Sequence, residues 1–145
     1  MGADAHRAAA AAKGPIAIGI VTVSDSRTSE TDTNGRYLHE RIAAADATVS
    51  GYRVVRDEPD EIRAALDELV GEAQVVIVNG GTGVSKRDTT YDTLAGLLEK
   101  TLPGFGELFR MLSWEQVGSA AMLSRATAGT YRACVRVPVP GSPKA

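Results

Sequence analysis

The run Val75-Val76-Ile77-Val78 passes without interruption into Asn79-Gly80-Gly81-Thr82-Gly83. A short β-branched run ended by glycine reads as a central strand, buried on both faces, that empties into a tight loop. A strand of that kind needs helices above and below it. The chain supplies them in alternation. Residues 16–23 form a second β-branched run, followed by the polar loop 24–34. Asn34-Gly35 opens a helix carrying Tyr37, Leu38, Ile42 and Ala45. Residues 48–55 read as a strand. Pro59 suits the first turn of the next helix, where Ile62, Leu66, Leu69 and Val70 make one apolar stripe. Residues 90–100 read as a helix with Leu94, Leu97 and Leu98 inward, and 105–113 and 116–122 as further helical pieces after a break at Pro103-Gly104. Residues 124–129 and 131–139 read as closing strands, the second at an edge. This order predicts an α/β fold with a mostly parallel sheet.

The chain has 145 residues, enough for one domain with one core, taken here as 15–145. Aromatics are only 5%, so that core is aliphatic. The start, MGADAHRAAAAAKGP, has no aliphatic h-region and reads as a disordered tail over residues 1–14. No stretch is long and apolar enough for a membrane span, so no membrane partner and a cytoplasmic location are expected. The net charge is −2, without the basic excess of a nucleic-acid binder, so any anion site is local. The single cysteine, Cys134, lies in an apolar run and reads as a small buried side chain. His6 and His39 lack neighbouring ligands, which excludes a histidine-based triad or metal site. A closing helix is expected after 140–143, so the chain reads as clipped at its C-terminal end.

In an open α/β sheet, ligands bind beyond the carboxyl ends of the strands. Three loops fall there: 24–35, 80–88 and 140–143. Gly80, Gly81 and Gly83 leave the backbone unobstructed, so successive N–H groups can turn inward as an anion nest. The alternative for these glycines is a plain tight turn. A helix start near Thr89 or Thr90, the Thr82 hydroxyl and the cations Lys86 and Arg87 are further donors. The pattern is neither a Walker loop nor a dinucleotide fingerprint. Asp88 either caps the following helix, with Thr89 and Asp92 as a box-like pair, or marks a divalent cation beside phosphates. Asp57 either caps the helix after the second strand or points into the site, where with Asp88 it would give two carboxylates for one magnesium.

Several segments carry a resemblance to a known family: VTVSDSR at 21–27, DTNG at 32–35, NGGTGVSKRDTT at 79–90, PGFGELFRMLS at 103–113, AMLSRATAG at 121–129 and PGSPKA at 140–145. They span nearly all of 16–145 in order. The chain resembles the MogA/MoaB family of molybdenum-cofactor biosynthesis, the molybdopterin adenylyltransferase group. The resemblance implies a three-layer α/β/α sandwich that assembles as trimers, in some branches hexamers. It implies binding of molybdopterin and ATP, magnesium dependence, transfer of AMP to the terminal phosphate of molybdopterin with release of pyrophosphate, and a molybdenum insertase as downstream partner. Asp57 and Asp88 then become the catalytic, magnesium-holding pair. Thr82 and the glycines Gly80, Gly81 and Gly83 fall at the nucleotide, and Gly141 and Ser142 in a loop that closes on it. Ser113 and Ser124 match pterin-side serines or serve as backbone caps. Asp25 contacts ligand or caps its own loop. Arg125 and Arg110 bind the pterin phosphate or form salt bridges.

Two departures bear on activity. The active branch has Pro-Asp-Glu after its second strand. Here Arg56-Asp57-Glu58 holds that place and a literal Pro59-Asp60-Glu61 follows. The helix stripe beginning at Ile62 favours Asp57. The phrase ELFRMLSWEQVG resembles the MoaB branch, some members of which lack the activity. A non-catalytic molybdopterin-binding protein, or a nucleotide or pyrophosphate hydrolase of the same fold, are the competing functions.

Overall fold

The computed structural model describes residues 2–82, 84–132 and 134–139. Its centre is a six-stranded sheet in the order β2-β1-β3-β6-β5-β4. The strands are β1 (Ala17–Val23), β2 (Thr48–Val55), β3 (Val75–Asn79), β4 (Lys100–Thr101), β5 (Gly129–Tyr131) and β6 (Cys134–Val139). The four from β2 to β6 run parallel, and β5 and β4 add an antiparallel end.

Helices cover both faces. α3 (Pro59–Leu69) turns Ile62, Leu66 and Leu69 onto Val21, Val23, Val76 and Val78, joined by Leu94 from α4 (Thr90–Ala95). Side chains alternate along a strand, so Ile20 and Thr22 face the other way, toward α2 (Thr33–Ala44), which packs on β1 and β2. The mostly parallel α/β sheet is the fold expected from the alternation of elements, and its cover of helices on both faces is the three-layer sandwich that the family resemblance implies.

Five local expectations are corrected. Residues Ala3–Ala11 form helix α1 rather than a disordered tail. None of them is buried, so this helix rests on the high intrinsic propensity of alanine instead of on packing. The helix expected over 90–100 ends at Ala95, before Gly96, and the chain turns to pair Lys100 and Thr101 with β5. Pro103 does not break the chain but starts α5 (Pro103–Val117), a single helix that ends at Gly118 with φ 61° and continues as the 3-10 turn Gly118–Leu123. Residues 124–128 are not strand. Finally, β6 is internal, between β3 and β5. Its Pro138 is tolerated because β5 reaches only as far as Arg136, so no second ladder is asked of the missing N–H. The closing helix expected after 140–143 lies outside the described residues.

Candidate functional site

The strand order β2-β1-β3 makes β1 a switch point. The chain leaves β1 toward β2 and then returns past it to β3. The loops after β1, β2 and β3 therefore open a crevice at their carboxyl ends, where doubly wound sheets bind ligands.

Gly80 and Gly81 sit at the mouth of β3 with φ of 104° and 64°. Both values lie in the left-handed region that a side chain disfavours. A Cβ on Gly80 would overlap the Val23 carbonyl oxygen. A Cβ on Gly81 would overlap Thr90 Oγ1 and come within 2.9 Å of Asp57 Oδ2. The Gly80 N–H donates to the Val139 carbonyl at 2.8 Å, so that amide belongs to the sheet and is not part of a free nest. Thr90 N–H donates to the Gly81 carbonyl at 3.1 Å, tying the start of α4 to the loop. Thr82 is buried, and its carbonyl accepts from Arg125 N–H at 3.1 Å. Gly83, Gly141 and Ser142 lie outside the described residues.

Asp57 is 6% exposed and does not cap α3, whose N-cap position is held by Glu58 without a side-chain bond. Its Oδ1 accepts instead from the N–H and hydroxyl of Thr89, at 3.1 and 2.5 Å. Asp57 therefore points into the crevice, whereas Asp60 lies exposed in the first turn of α3. Asp88 does not form the box with Asp92. Its Oδ2 accepts from Ser85 N–H at 3.0 Å, while its own N–H donates to the Ser85 carbonyl, closing the loop on itself. The two aspartates are linked through the chain, Thr89 being the residue after Asp88, rather than by a shared contact.

Asp25 joins three loops. Its Oδ1 accepts from Asp57 N–H at 3.1 Å and its Oδ2 from Arg87 at 2.8 Å. The Arg87 bond, helped by the Asp57 amide, holds the Asp25 carboxyl below the usual range. Arg87 also reaches Glu58 at 3.3 Å. Lys86 is exposed.

The pterin-side residues are engaged structurally. The Ser113 hydroxyl donates to the Phe109 carbonyl at 2.8 Å, within its own helix. Ser124 ends the 3-10 turn, with its hydroxyl oxygen 3.3 Å from the donating Ala126 N–H. Arg110 donates to the carbonyls of Ser124 and Ala126, pinning that segment to α5. Arg125 pairs with Asp92 at 3.0 Å, donates to the Asp88 carbonyl at 2.9 Å and covers the Tyr91 ring. Arg110 is thus engaged by backbone carbonyls, and Arg125 by an ion pair, a carbonyl and an aromatic ring among its contacts.

Thr89 and Thr90, expected at a helix start and as a capping partner, hold Asp57 and the Gly81 carbonyl. One position beside the site had not been singled out: Asp32, which is 1% exposed and N-caps α2 through Gly35 N–H at 3.0 Å. Its Oδ2 accepts from Thr22 at 2.6 Å and Tyr52 at 2.5 Å. Asn79 donates to Thr22, and Asn34 to Asn79, so the network fixes the residue from which Gly80 departs. Burial opposes ionisation of Asp32, but the bonds from Thr22, Tyr52 and Gly35 outweigh it and lower its pKa. Burial and the Asp32 charge raise that of Tyr52. The usable signal was Asp-x-x-Gly at a helix start, a capping pattern.

Comparison with known proteins agrees with this geometry. Residues 19–145 match the family described as a probable molybdopterin binding domain. Molybdenum cofactor biosynthesis protein B of Bacillus anthracis is 48% identical over 128 residues, covering 85% of this chain and 75% of that protein. The crystal structure of the tungsten cofactor synthesizing protein MoaB from Pyrococcus furiosus superposes with a TM-score of 0.80 at 36% identity, over 88% of this chain and 83% of that one. A structure of MogA superposes with a TM-score of 0.78 at 27% identity, over 88% and 85%. Among the described residues, no helix is long and apolar enough to cross a membrane. On sequence, fold and the loops that gather at the β1–β3 switch point, this chain belongs to the molybdopterin-binding domain family of molybdenum-cofactor biosynthesis.

Proposed function

We propose that the chain binds molybdopterin and ATP and transfers AMP to the terminal phosphate of molybdopterin. A phosphate oxygen attacks the α-phosphorus in line. The α–β anhydride bond breaks, and pyrophosphate leaves with the electron pair. Both partners are anions, so the work is positioning and charge neutralisation, and no covalent nucleophile is needed. The observation that carries this reading is the orientation of Asp57. It turns away from its own helix into the crevice, with Oδ1 held by Thr89 and Oδ2 close beside Gly81.

That arrangement fits magnesium. Among the described residues Asp57 Oδ2 accepts no hydrogen bond, and no cluster of three or more acidic, histidine or cysteine side chains forms a full protein cage. Magnesium is characteristically held by one or two carboxylates, with water and substrate phosphates completing its shell. Asp57 is the first of these, and Asp88 is the second once its bond to Ser85 N–H is released. Bound there, the ion would screen the triphosphate. The chain's own part is to fix Asp57 through Thr89 and Asp25, with Gly81 packed close beside it.

The test is pyrophosphate release from ATP, molybdopterin and magnesium. The wild-type chain is expected to release it. Asp57→Ala and Asp88→Ala are expected to abolish release while leaving pterin binding largely intact. Pterin binding without release in wild type would make the chain a binding protein only. ATP breakdown without pterin would make it a hydrolase.

A further inference from the structure

Asn79 is the last residue of β3, directly before Gly80, and is 1% exposed. Burial alone would be served by an aliphatic side chain, as at Ile77 on the same face of the strand. A buried amide is unfavourable unless it is hydrogen-bonded. The bonds of Asn79 can run in only one order. The Asp32 carboxylate accepts from Thr22, Tyr52 and the Gly35 N–H and has no side-chain hydrogen to give. The single hydrogen of the Thr22 hydroxyl is thus spent on Asp32, at 2.6 Å. Thr22 can then only accept from Asn79 Nδ2, at 2.8 Å, which turns Asn79 Oδ1 to accept from Asn34 Nδ2 at 3.0 Å. One buried charge fixes which way round the Asn79 amide stands.

Thr22 and Asn79 are also the final pair of the β1–β3 ladder. Beyond them the strands part and the crevice opens. Gly80 then leaves β3 with φ of 104°, and the Gly81 carbonyl accepts from Thr90 N–H. The residue before Thr90 is Thr89, which holds Asp57 by two bonds. A change in the seating of Asn79 passes along this series to the Asp57 carboxylate.

We infer that Asn79 is a positioning residue of the crevice: its amide, oriented by Asp32 through Thr22, sets the direction in which Gly80 and Gly81 leave β3 and thereby places Thr89 and Asp57. This rests on the reading of the crevice as the site of adenylyl transfer and adds to it a residue that acts through others.

Amide hydrogen exchange of the full ligand-free chain, followed by nuclear magnetic resonance, tests the placement without catalysis. Asn79→Asp keeps the shape but has no hydrogen for Thr22. Thr22→Val breaks the same link from the other side, and Thr22→Ser keeps the hydroxyl. In Asn79→Asp and Thr22→Val the amides of Gly80, Thr89 and Thr90 are expected to exchange about tenfold faster, while those in the middle of β1 and β3 stay within about twofold. Thr22→Ser is expected to stay within about twofold of wild type throughout. In the pyrophosphate assay Asn79→Asp should lower kcat about tenfold to a hundredfold, the scale of a misplacement that begins away from the chemistry, and leave KM for molybdopterin within about twofold. Unchanged exchange at the three amides, faster exchange spread evenly over the sheet, or failure of both variants to fold overturns the positioning role. Local exchange that rises without any fall in kcat overturns it as well. A wild type that releases no pyrophosphate overturns the adenylyl-transfer reading instead, and the exchange pattern still decides whether Asn79 sets the loop.

Discussion

Thr89 gives both of its donors, the backbone N–H at 3.1 Å and the hydroxyl at 2.5 Å, to the same oxygen of Asp57. A carboxylate held by two bonds from one residue loses its rotational freedom. It also leaves its other oxygen free for the crevice. Thr89→Val removes one of the two bonds and leaves the amide. It is expected to lower the rate of pyrophosphate release about tenfold to a hundredfold, the scale reported for loss of a group that orients a metal ligand. Thr89→Ser should restore most of the rate. The decisive measurement is the split between constants. A loosened Asp57 lowers kcat with little change in KM for molybdopterin, whereas a merely destabilised loop would raise both KM values.

How much of this was legible beforehand follows from what each feature depends on. The strands β2 and β3 and the α3 stripe were readable because each is a local pattern of side-chain period. The glycine loop was readable because a strand running into glycines leaves few alternatives. The direction of Asp57 was not, since helix capping and a turn into the crevice use the same residue at the same place. Only the position of Thr89, from 32 residues further on, decides between them. Asp32 was missed for the same reason: its partners Thr22 and Tyr52 come from two different strands. The internal place of β6 was hidden by Pro138, because sequence does not reveal where its neighbour β5 stops.

The Tyr52–Asp32 bond gives the fold a pH signature. Asp32 has a lowered pKa in the fold, so its contribution is present above its unfolded value, about 4, and fades as pH falls through the folded value. Tyr52 has a raised pKa, so its contribution is present below its unfolded value, about 10, and fades as pH rises through the folded one. Tyr52→Phe is expected to cost about 1–2 kcal/mol at neutral pH, reduced from a fully buried charged bond because the ring is only partly covered. Urea unfolding across pH should show the gap to wild type widest between about pH 4 and pH 10 and narrowing on both sides. A gap of constant size at all pH values would mean that packing, not the bond to Asp32, is what the hydroxyl supports.

α5 presents an apolar surface. Leu108, Met111, Leu112 and Trp114 are each about 60% exposed along it. Contiguous apolar surface of this kind marks an interaction site. A trimeric or hexameric assembly of this chain, as the family resemblance implies, would cover it with other copies of the chain. Light scattering at micromolar concentration is expected to give a trimer or hexamer for wild type and a monomer for Leu112→Arg, with the far-ultraviolet spectrum unchanged. Trp114 emission should shift to longer wavelength in the variant as the indole becomes wet. A monomeric wild type would count against assembly through this face.

Arg136 is a site where stability should be gained. It lies in β6 opposite Val76 of β3 and Gly129 of β5, and is 0% exposed. Alternation puts it on the same face as Cys134, which belongs to the apolar core cluster. None of its three guanidinium nitrogens has a hydrogen-bond partner among the described residues. The face of Tyr131, 5.5 Å away, is the compensating contact. A cation–π contact returns about 2 kcal/mol when desolvated, while the effective penalty for burying an ion is several kcal/mol. The balance is unfavourable, so Arg136→Met, which keeps the length and removes the charge, is expected to stabilise the fold by about 1–4 kcal/mol. Equilibrium unfolding in urea should show a higher midpoint with an unchanged slope. Tyr131→Ala should then cost more in wild type than in the Arg136→Met chain, because only wild type needs the ring to face a charge. A destabilised Arg136→Met chain would show that the guanidinium is paired in solution and that its charge contributes to the fold.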